Sequence, residues 1–102
     1  MSLQSKLAHS CAHEMECVFK KLYPHMQLNA DSFDLYPRES LETALEYLRL
    51  DGRIQEGEIA DLMDDYDFGD NNLRSFFEKK DGETQYKELL GQIKNIIKRS
   101  EM

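Results

Sequence analysis

The sequence predicts an all-α fold, a compact bundle of four to five helices that contains two helix-(Asp-Gly)-helix hairpins. Three observations carry this expectation. Apolar residues recur at intervals of three and four in successive segments, two Asp-Gly pairs punctuate those segments, and no stretch alternates long enough to form a strand.

The first helix is expected from Leu3 to Tyr23, where Leu3, Leu7, Cys11, Met15, Val18 and Leu22 mark one face and Pro24 ends the run. Residues 24–37 mix turn formers with Met26, Leu28, Phe33, Leu35 and Tyr36, which reads as a loop pinned by apolar contacts. Pro37 suits a helix start, and Leu41, Ala44, Leu45 and Leu48 define a second helix over about 38–50, closed by Asp51-Gly52. Ile54, Ile59, Leu62, Met63 and Tyr66 define a third. Phe68-Gly69-Asp70 interrupts it before a short fourth helix with Leu73, Phe76 and Phe77, which Asp81-Gly82 stops. The last helix has the clearest stripe, Tyr86, Leu89, Leu90, Ile93, Ile96 and Ile97. Residues 51–58 and 81–88 share Asp, Gly, Gln and Glu at an offset of 30. Most of this likeness is ascribed to chance and to the general use of Asp-Gly as a helix stop.

At 102 residues, 40% hydrophobic and 32% charged, the chain is expected to fold as one domain over residues 1–102. No run approaches the roughly 20 apolar residues of a bilayer span, so no membrane role is expected. Cys11 and Cys17 fall on one helix about 9 Å apart, beyond disulfide reach, and read as reduced thiols of a cytoplasmic protein.

The net charge of −7 is concentrated in the middle of the chain. Residues 31–70 hold thirteen acids against three arginines, a net −10, whereas residues 1–30 carry +1 and residues 71–102 carry +2. A nucleic-acid binder shows the reverse, a basic stripe that displaces counterions from phosphates. An acidic face suits a basic protein partner.

Three constellations of side chains bear on chemistry. Asp51-Gly52, Ile54 and Glu58 resemble the second half of an EF-hand calcium loop, but the first and third ligand positions fall on Tyr47 and Arg49, which cannot replace two carboxylates. His9, His13 and Cys17, four apart, lie along one side of the first helix and are weak metal candidates; with no second pair of ligands beyond His25, no metal or other cofactor is expected. The third is Asp61, Asp64, Asp65, Asp67 and Asp70, with Tyr66 and Phe68 interleaved. Carboxylates at a helix C-terminus oppose the macrodipole, so this cluster costs local stability and points to a partner, with the two rings as its anchors.

No activated nucleophile or phosphate loop is present, so no enzyme activity is expected. The expected function is a protein-binding module that presents this acidic face to a basic partner. In size and charge it is similar to immunity-type inhibitors that neutralise basic toxins, a resemblance without a shared motif. The alternatives are a helical adaptor or self-associating regulator using the 24–37 loop, and a DNA-binding helix-turn-helix over residues 58–80.

Overall fold

Each helix boundary has a local cause that can be followed along the chain in the computed structural model, which describes residues 3–100. Helix α1 (Leu3–Leu22) ends where the Met26 N–H donates to the Tyr23 carbonyl at 3.0 Å, a turn with Pro24 at its second position. A short helix α2 (Ala30–Leu35) follows, inside the segment expected to be a loop. Asn29 caps it by accepting from the Ser32 N–H at 3.0 Å, and the Glu16 carboxylate of α1 accepts from the Ala30 N–H at 3.0 Å. These two contacts give six residues a helical start that their own apolar pattern does not announce.

Helix α3 (Pro37–Leu50) begins with proline, whose missing N–H costs nothing in a first turn. It ends in a Schellman motif: Gly52 is left-handed at φ +75°, its N–H donates to the Arg49 carbonyl at 3.0 Å, and the Arg53 N–H donates to the Leu48 carbonyl at 2.9 Å. In α4 (Glu56–Asp65) the Glu58 carboxylate reaches back to the Gln55 N–H at 3.3 Å. Asn72 caps α5 (Leu73–Phe77) through the Ser75 N–H at 2.8 Å. The second Asp-Gly works differently from the first. Asp81 is the left-handed residue at φ +68°, and Gly82 is already the first residue of α6 (Gly82–Ser100). The offset-30 likeness is therefore not a structural repeat, since its first copy is a turn that leads into the start of α4 and its second lies almost wholly in α6.

The described residues form six helices and no strand, an all-α bundle. One continuous set of buried side chains draws on all six. Helix α1 packs on α2, α5 and α6, while α3 packs on α2 and α4. The α1 face is centred on Ala8, Ala12, Met15 and Phe19; Leu7, Val18 and Leu22 are half-buried at its edge, and Leu3 is exposed. Helices α1 and α6 run in the same direction, since Cys11 is near enough to Tyr86 and Lys87 to feel their charge, and Val18 and Leu22 lie beside Lys94, Ile97 and Lys98. Helix α4 runs against α6, with Glu58 on Arg99 and Tyr66 on Gln92. Phe68, Phe76, Phe77 and Tyr86 meet edge to face at 4.7–6.0 Å between centroids, and this ring cluster locks the α4–α5 loop and α5 onto α6.

The phenols record this packing. Burial holds Tyr86 and Tyr66 above the ordinary tyrosine range, and burial followed by the hydrogen bond to Asp51 pushes Tyr23 up to about 12. The folded state then keeps protons that the unfolded chain releases from about pH 10, so this stabilisation is full below about pH 10 and is lost as pH rises through the folded values. The urea midpoint is expected to fall above about pH 10, and Tyr86→Phe is expected to flatten that fall. An unchanged slope in the variant would mean that Tyr86 is not buried as described.

Candidate acidic groove

Helix α4 carries Asp61, Asp64 and Asp65 in its last turns with no basic residue to offset them at the negative end of the helix. All three are exposed, as are Asp67 and Asp70 in the following loop. The five aspartates do not act as one cluster. Asp67 turns inward on its own loop, accepting from the Gly69 N–H at 2.8 Å, where Gly69 is left-handed at φ +60°. Asp70 leans toward α3 and lies 3.5 Å from an Arg38 nitrogen, with its side chain almost wholly in solvent.

Tyr66 and Phe68 are not surface anchors, which corrects the expectation from the sequence. Tyr66 is 5% exposed and Phe68 is 1% exposed. Phe68 sits in the ring cluster, and the Tyr66 hydroxyl accepts from Gln92 Nε2 at 2.6 Å, so both rings hold the loop to α6.

The structure instead gathers a groove between α4 and α6, open to solvent, with a volume of about 430 Å³. Glu58, Asp61 and Asp65 line it from α4, and Gln92, Asn95 and Arg99 from α6, over a floor of Leu62 and Ile96. Arg99 donates to Glu58 at 3.0 Å, so the groove already holds one guanidinium. Of the predicted residues only Asp61 and Asp65 belong here; Asp64, Asp67 and Asp70 lie outside the lining. Sequence reasoning missed Glu58, Gln92, Asn95 and Arg99. Their signal was a second, polar stripe at helical spacing on each helix, 58–61–65 and 92–95–99.

On α1, His9 and His13 stack with centroids 6.4 Å apart. Their Nδ1 atoms face Asp34 at 3.9 Å and Glu16 at 3.5 Å respectively, and Cys17 is exposed. Among the described residues no three His, Cys, Asp or Glu side chains are arranged to hold a metal ion. In the segment considered as a helix-turn-helix, the second helix is α5, five residues long with Leu73, Phe76 and Phe77 in the core, so it leaves Arg74 as its only outward cation. Of the 24–37 segment, Met26 and Phe33 are buried, while Leu35 and Tyr36 stand exposed at the α2–α3 corner.

No helix among the described residues is long and apolar enough to cross a membrane. Comparison with protein-family models, with curated proteins and with solved structures finds no match, so the functional reading rests on the geometry.

Proposed function

We propose that the chain is a protein-binding module that captures a basic partner on α4, with an arginine or lysine of that partner seated in the α4–α6 groove. The observation that carries this reading is a rim of Glu58, Asp61 and Asp65 over the apolar floor of Leu62 and Ile96. Such a groove receives the apolar stem of a long basic side chain along its floor and the charged head at its rim. Asp64, exposed beside it, adds to the field that steers a cationic surface inward. Occupying the cationic cleft of a toxin is the particular form of this function that the size and charge suggest, and it would make the protein an immunity-type inhibitor with no catalytic role of its own.

The test is affinity capture with the parent chain, followed by binding kinetics with the captured partner at two ionic strengths. Asp61→Asn, Asp64→Asn and Asp65→Asn combined are expected to lower the association rate by about tenfold at low salt and to flatten its salt dependence. Association at the parental rate with the same salt response would reduce α4 to a solvated acidic face.

A further inference from the structure

A second groove, of opposite sign, lies between the C-terminal halves of α1 and α6. It measures about 290 Å³, with Val18, Leu22 and Ile97 as its floor and Lys21, Lys94 and Lys98 at its rim. All three lysines are exposed, and none has an ion-pair partner among the described residues, in a chain with 20 acids against 13 Lys and Arg. The negative ends of the two helices favour Lys21 and Lys98, which sit in last turns. They account neither for Lys94 nor for the apolar floor.

The complementary surface is on the same molecule. The outer face of α3 carries Glu42, Glu46, Tyr47 and Leu50, with Leu50 74% exposed and Tyr47 38% exposed. Arg49 pairs with Glu46 on this face, which leaves it net negative beside Glu42. Glu42 and Glu46 are four residues apart on α3, as Lys94 and Lys98 are on α6, so the two rows of charge have the same spacing of one helical turn.

Both surfaces border one end of the bundle. The Tyr23 ring, just past α1, lies 5.4 Å from the Tyr47 ring, and its hydroxyl donates to Asp51 Oδ2 at 3.0 Å. Arg53, just past α3, donates to the Ser100 hydroxyl of α6 at 2.8 Å. Neighbouring patches of opposite character are what a two-fold axis needs, because each contact is then made twice.

We infer that the α1–α6 groove receives the outer face of α3 from a second copy of this chain, reciprocally, to form a two-fold dimer. Leu50 and Tyr47 supply apolar cover for Val18, Leu22 and Ile97, while Glu42 and Glu46 meet Lys94 and Lys98. This surface does not overlap the α4 face, so each can fail without the other.

Sedimentation of the full chain from micromolar to near-millimolar concentration tests the inference, with circular dichroism to confirm that the variants fold. The parent is expected to reach the dimer mass, more weakly at high salt. K94E/K98E and E42K/E46K are each expected to raise the dimer dissociation constant by about tenfold or more, since each alone sets like charges against one another. Mixed together they restore both contacts, so a one-to-one heterodimer is expected. Leu50→Ser is expected to weaken the dimer at low and high salt alike. A parent that stays monomeric at the highest concentration, including one that binds anionic vesicles instead, overturns the inference. So does a dimer that survives both charge reversals, or a mass that climbs past two copies.

Discussion

Replacing Gly82 with alanine is expected to destabilise the fold by about 3 kcal/mol or more, although alanine is the better helix former. A Cβ at this position would stand 2.1 Å from the Phe76 carbonyl oxygen, 3.0 Å from its carbon and 3.1 Å from the Phe77 Cα. These are backbone atoms held by α5, so the clash is relieved only by moving α5 off α6. Propensity alone would favour alanine by about 1 kcal/mol, and the steric term must overcome it. Gly57 and Gly91 are the controls, since both are helical and a Cβ there meets nothing within 4 Å. Their alanine variants are expected to be more stable by up to about 1 kcal/mol. Urea midpoints for the three variants check the contrast; a Gly82→Ala protein as stable as the parent would mean that α5 and α6 do not approach in this way.

Ile93→Asp is expected to cost on the order of 4 kcal/mol at neutral pH. Ile93 is fully buried on α6, in the middle of the stripe formed by Tyr86, Leu89, Leu90 and Ile96. The variant loses that packing and also places a carboxylate where nothing pairs with it. Because burial disfavours the charged form, the introduced carboxyl has a folded pKa raised above its unfolded value of about 3.9. The folded state then holds the proton more tightly, so the penalty is smallest below about pH 4 and grows as pH rises through the raised value. Ile93→Asn, with similar volume and no charge, is expected to lack this dependence. Unfolding midpoints for both variants between acidic and neutral pH decide it, and a difference between them that does not vary with pH would place position 93 at the surface.

These two sites show where the sequence was legible and where it was not. The α6 stripe was readable because its cause is local: six apolar residues recur at one helical period, and the structure buries five of them and leaves Ile97 half-buried at the edge. Asp51-Gly52 and Asp81-Gly82 look alike as letters. They differ in the fold: the second glycine is a helical residue whose missing Cβ makes room for the Phe76 carbonyl, and the aspartate before it takes the left-handed conformation, neither of which the two letters reveal. Tyr66 and Phe68 alternate with aspartates, which suggested a surface, but the α4–α5 loop folds under and delivers both rings to α6. Helix α2 was hidden because its stability comes from Asn29 and from Glu16, thirteen residues earlier. The acidic groove was half visible. Each polar stripe can be read from spacing, but that α4 lies antiparallel to α6 cannot.

The parallel course of α1 and α6 also has a mechanical consequence. The two helices start together and end together, so Leu3 and Ser100 lie at opposite ends of their seam, separated by about 28 Å if α6 rises by 1.5 Å per residue. Tension applied between those two residues pulls the helices past each other along their length. Loaded in shear, the contacts along the seam share the force and give way together, whereas an antiparallel pair held at adjacent ends would be peeled open one turn at a time.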